Sequence, residues 1–167
     1  MNEIRDEIYT KIDALYSEAV FVQRAWMKEI AERESQRTFS SHKKNESTNY
    51  EFRIELSDCS FSLRWFRVQF VKRGEKTLRI RKAISIPASG KYKNTQFRYA
   101  DDWELKSIME MEDVLSNIRV KVKHLMKMHH LAIAISVIDK DKLIKIPIKE
   151  RVEPSPFSIK QFKKQLY

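Results

Sequence analysis

The spacing of apolar residues changes twice along this chain, and those changes limit the folds open to it. Over residues 3–34, Ile4, Ile8, Ile12, Leu15, Ala19, Val22, Trp26 and Ile30 recur at steps of three or four, which lines one face of a helix. Tyr9, Tyr16 and Phe21 widen that face. From Tyr50 the step becomes two: Tyr50, Phe52, Ile54 and Leu56 alternate with Glu51, Arg53 and Glu55, the pattern of a half-buried strand. From residue 101 the longer step returns, with Leu105, Ile108, Leu115, Ile118, Val122 and Leu125 in one stripe. Neither helical stripe contains Gly or Pro. A long helix, a sheet and a second long helix predict an α+β fold, with the sheet packed against both helices.

Local signals refine this. Residues 35–49 are rich in Ser, Thr and Asn and predict a mobile surface loop. A second strand is expected from Phe61 to Lys72 and a third from Thr77 to Ile86, joined through Arg73-Gly74-Glu75-Lys76 as an antiparallel hairpin. Pro87-Ala88-Ser89-Gly90 ends the third strand, and a short fourth is expected over Thr95 to Tyr99. The sheet is thus three- to four-stranded. Asp101 or Asp102 is expected to cap the second helix with its side chain. The run from Leu131 to Ile138 suits a helix or a strand; the missing Gly or Pro before it favours helix to Ile138. Ser158 and Gln161 fit a capping box for a short terminal helix to Leu166. The 167 residues are expected to form a single domain: helix 3–34, basic sheet 50–99, helix 101–138 and tail 139–167.

The charge is as uneven as the periodicity. Of 33 Lys and Arg, eleven lie in residues 59–99 with one acid, Glu75, so the remaining 22 bases face 22 acids and the net +10 belongs to the sheet. Alternation places Leu78, Ile80, Ile84 and Ile86 toward the core and Arg79 and Arg81 outward, and hairpin pairing is expected to gather Arg67, Arg79 and Arg81 into one ridge. Lys72, Arg73 and Lys76 extend it at the turn, and Lys91, Lys93 and Arg98 follow. Like charges set opposite one another repel. Phosphates relieve that repulsion, and two-stranded ribbons fit the B-DNA major groove. A solvated edge strand kept basic against aggregation accounts for the same residues. Trp65, Phe97, Tyr99 and Trp103 suit either stacking on bases or packing between helix and sheet.

Catalytic and metal signatures are weak. His124, His129 and His130 have no ligand spacing, and His42 stands alone. Cys59 has no spaced His to activate it. Two glycines cannot build a phosphate-cradling loop. The acids Asp101, Asp102, Glu104, Glu110, Glu112 and Asp113 match the dipole of the second helix as a solvated face. No cofactor, no metal and no enzymatic activity are expected. One cysteine, a polar helical start and no apolar run of bilayer length predict a cytoplasmic protein off the membrane.

Trp65-Phe66-Arg67, the basic strand, Phe97-Arg98-Tyr99, Trp103-Glu104, and a helix bearing Glu112 and Arg119 together resemble the MobI-type conjugative transfer proteins. These are small accessory factors of integrative conjugative elements and related plasmids. The resemblance spans roughly residues 60–128; residues 131–167 carry none. It implies a protein that recognises the origin of transfer and helps the relaxase start DNA processing. The expected partners are double-stranded DNA, the relaxase, and a second copy of the chain or another protein along the long helices. Two other readings stand beside it: a protein-interaction scaffold built on those helices, and a divalent-metal nuclease using the acids of residues 101–113.

Overall fold

A computed structural model describes residues 1–38, 48–156 and 158–166. It is α+β, with three antiparallel strands and three helices. Helix α1 spans Asn2–Thr38, followed by strands β1 (Tyr50–Ser57), β2 (Ser60–Arg73) and β3 (Lys76–Ala83) in the order β1-β2-β3. Helix α2 spans Asp102–Ile138 and the short helix α3 Ile159–Leu166. Residues 39–47 of the expected loop, His42 among them, lie outside the described residues.

The stripe on α1 is buried as its period predicts: Ile8, Ile12, Leu15, Ala19, Trp26 and Ile30 are enclosed, although Ile4 and Phe21 are exposed. Helices α1 and α2 run antiparallel, since Tyr9 meets His129 while Glu29 meets Ser107 and Arg33 lies over Trp103. Both pack on one face of the sheet. Trp65 of β2 is at the centre, against Trp26, Phe52 and Phe97 at ring distances of 5.1–5.7 Å.

Three local expectations are corrected. The fourth strand is absent: Asn94–Phe97 is a turn of 3-10 helix, which Gln96 holds by accepting from the Lys93 N–H and donating to the Ser85 carbonyl. A turn there lets Phe97 reach the core. Asp101 stands at the start of α2, but no side chain caps it. The third strand stops at Ala83, so Ile84 and Ile86 lie beyond it, half-buried against the core.

Helix α2 ends at Ile138, as expected. The Asp141 N–H closes back to the Ser136 carbonyl around Lys140, whose φ is +56°. That left-handed position usually takes glycine. The tail then returns along α1. Arg151 pairs with Asp13 and donates to the Cys59 carbonyl, and Tyr16 donates to the Glu153 carbonyl. Ser158 accepts from the Gln161 N–H at the start of α3, whose Phe162 is buried. This segment, which carries no family resemblance beyond its expected terminal helix, covers α1.

Candidate nucleic-acid interface

Strand β1 begins opposite Arg67, so β2 beyond Val68 has no neighbour but β3. Residues 69–80 therefore project as a two-stranded arm, roughly 17 Å long for five residues a side. Its tip is a two-residue loop in which Gly74 has φ +62°, the conformation such a loop requires at its first position. Every residue from 70 to 83 is exposed, including Phe70, Val71, Leu78 and Ile80. The expectation that Leu78 and Ile80 face the core is therefore corrected: they share the face of Trp65, but the helices do not extend over the arm.

The expected ridge is corrected as well. Directly opposed residues of an antiparallel pair share a face. Arg67 stands opposite Lys82, whereas Arg79 and Arg81 stand opposite Phe70 and Val68. Arg67 is on one face, then, and Arg79 and Arg81 are on the other. On that second face Glu51, nearly buried, draws in Arg53 at 2.9 Å, Arg81 at 2.9 Å and Arg79 at 3.3 Å. Three guanidiniums around one carboxylate leave a net +2, so Glu51 offsets part of the field of Arg79 and Arg81 and fixes their guanidiniums against the strand.

The first face is different. The Arg67 guanidinium lies 3.6 Å over the Tyr99 ring, with Arg98 4.8 Å from the same ring. The Gln69 amide, turned to accept, takes hydrogen bonds of 3.0 and 3.2 Å from Arg67. Ring and amide hold the guanidinium flat without neutralising it. Arg67, Lys82, Arg98, Thr95 and Gln96 line a cleft of about 440 Å³ at the root of the arm. Among the described residues none of these three bases pairs with a carboxylate. Of the other candidates, Lys91 pairs with Asp113 at 2.7 Å, while Lys72, Arg73, Lys76 and Lys93 are exposed. Sequence reading did not place Lys82 in this cleft or pair Glu51 with Arg79 and Arg81. An acid on the strand next to a basic one was the available signal.

Two acids read as a solvated face are fully buried instead. Glu112 forms a two-pronged pair with Arg119, at 2.7 and 2.8 Å. It also accepts from the Trp65 indole and the Tyr92 N–H. Arg119 donates onward to the Leu63 and Gly90 carbonyls. This pair ties α2 to the sheet and to the crossing after β3. Glu104 accepts from the Tyr50 N–H at the root of the arm. Its other oxygen has no partner. Among the described residues no three His, Cys, Asp or Glu stand together to hold a metal. Trp65 and Phe97 are core residues, Trp103 is half-buried under Arg33, and Tyr99 is substantially exposed. Cys59 is enclosed and accepts from the Tyr9 hydroxyl, which also meets His129 at 3.0 Å. Burial raises the Tyr9 hydroxyl to about 12 and lowers His129.

Burial also raises the Glu104 carboxyl from 4.5 to about 7. Between those values the folded chain holds a proton that the unfolded chain has released. Stability should therefore fall as pH rises through this window, by about 1.4 kcal/mol per unit from this group. Glu104→Gln should flatten that slope in urea titrations run from pH 4.5 to 7; an unchanged slope would assign it elsewhere.

The family model described as MobI protein matches residues 15–132. This chain belongs to the MobI family. Membership indicates a role in conjugative mobilization. The match starts in α1, well before the motifs at Trp65, and so takes in most of both long helices, the sheet and the arm. No curated protein and no solved structure matches significantly. No helix among the described residues is long and apolar enough to cross a membrane.

Proposed function

We propose that this MobI protein is a DNA-binding accessory factor that recognises the origin of transfer and assists the relaxase there. The basic arm is the DNA-contacting element. The observation that carries this reading is Arg67, stacked on Tyr99 and free of any carboxylate among the described residues, with Lys82 and Arg98 beside it. A fixed, un-neutralised guanidinium suits bidentate recognition of phosphate or a guanine edge. Lys72, Arg73 and Lys76 at the tip set phosphate register along the groove. Arg79 and Arg81 contribute less because the buried Glu51 already holds them, and Lys91 because it pairs with Asp113 at the surface; Lys93, exposed, adds to phosphate register. The exposed apolar residues of the arm suit a groove, where side chains of this kind wedge between base steps.

Fluorescence anisotropy on the element's own intergenic duplex, across a salt series, tests this. Neutralising about six phosphates gives a slope of log affinity against log salt near −5. Arg67→Ala with Arg98→Ala should weaken binding by about tenfold or more. Arg79→Ala with Arg81→Ala should weaken it less. A flat salt response, or the reverse ranking of the two double variants, would remove the arm's first face from the interface.

A further inference from the structure

DNA binding leaves the far end of α2 unused. Its last three turns carry Met128, Leu131, Ile135 and Ile138, exposed by 53, 65, 47 and 79 %. Steps of three, four and three residues put them on one stripe. They point away from His129, Ala132 and Ser136, which are buried. Ile4, also exposed, stands beside Met128 where α1 begins. Scattered apolar residues are normal on a surface, but a row of four aligned on one helix marks a contact site.

We infer that this stripe binds a second copy of the chain, the two α2 ends crossing antiparallel about residue 133. The stripe is self-complementary in that arrangement. Leu131 of one copy meets Ile135 of the other and Met128 meets Ile138, each contact occurring twice by symmetry. Of the flanking charges, Lys127 precedes the centre and Asp139 follows it, in a segment (Asp139-Lys140-Asp141-Lys142) that is neutral as a whole and whose Asp141 already holds the N-terminal ammonium at 3.1 Å. An antiparallel crossing brings Lys127 level with Asp139 of the second copy, whereas a parallel one sets Lys127 against Lys127. Glu104 stands at the root of the arm while His129, linked through Tyr9 to Cys59, stands by the β1–β2 turn. Arm and stripe are therefore at opposite ends of α2, and the contact leaves both arms free. This inference stands whether or not the arm binds DNA.

Sedimentation velocity of the full chain from roughly 1 to 100 μM should show the mass rising from 20.0 kDa toward twice that value. Leu131→Lys combined with Ile135→Lys should hold the monomer mass throughout with an unchanged circular dichroism spectrum, because both side chains are exposed. For the orientation, Leu131→Cys chains mixed with Ile135→Cys chains should cross-link across unlike chains several-fold more than across like ones; Cys59 is buried and stays out of the reaction. A wild-type chain that remains monomeric, or a double-lysine variant that dimerises equally well, overturns the surface. Predominant cross-links between two Leu131→Cys chains overturn the antiparallel crossing.

Discussion

Glu112→Ala should lower unfolding stability by about 3–5 kcal/mol, the usual consequence of stranding one member of a buried ion pair. Arg119 would lose its two-pronged partner at 2.7 and 2.8 Å while remaining enclosed, with side-chain exposure of 8 %. The Trp65 indole and the Tyr92 N–H would lose their acceptor as well. Each orphaned donor adds its own desolvation cost. Urea denaturation should show the midpoint falling with little change in slope. Glu112→Gln, which keeps acceptor capacity but not the charge, should lie between wild type and Glu112→Ala. A Glu112→Ala variant within about 1 kcal/mol of wild type would show that the pair is already solvated and holds nothing together. The effect should be on stability first: Trp65, Glu112 and Arg119, which look like a site motif in sequence, join helix to sheet.

Removing the arm should separate binding from folding. With residues 69–80 replaced by a two-residue Asn-Gly turn between Val68 and Arg81, β2 keeps its pairing with β1 and its contacts with both helices. Little stability should be lost, because residues 70–80 are exposed. Affinity for duplex DNA should fall by about 100-fold or more at physiological salt. The salt slope should shrink by about 3 as Lys72, Arg73 and Lys76 are lost. Anisotropy titrations alongside thermal melts read both quantities. A truncated chain that binds as tightly as the full one would take the arm out of the interface and leave the cleft of Arg67, Lys82 and Arg98 at its root.

Much of the fold was legible because periodicity reports burial directly. The two helices, the three strands and the 73–76 turn follow from steps of three or four and of two, and α2 ends at the residue the pattern indicated. The fourth strand was misread at Thr95–Tyr99 because five residues with two aromatics suit a strand or a tight turn equally well. What decided it was Gln96, whose partners at Lys93 and Ser85 cannot be seen in sequence. The end of α2 carried no glycine signal, since Lys140 takes the left-handed position itself.

By itself the sequence determined the order of elements and the place of the charge, because both depend on near neighbours along the chain. Which arginines remain free was decided by tertiary structure alone. Strand pairing set Arg67 back to back with Arg79 and Arg81, and Glu51, some thirty positions away, drew in the latter two. The acids of α2 were sorted in the same way: Glu104 and Glu112 read as solvent-facing charges until packing enclosed them. Burial and pairing of charge depend on contacts between residues far apart in sequence, and local patterns do not record those contacts.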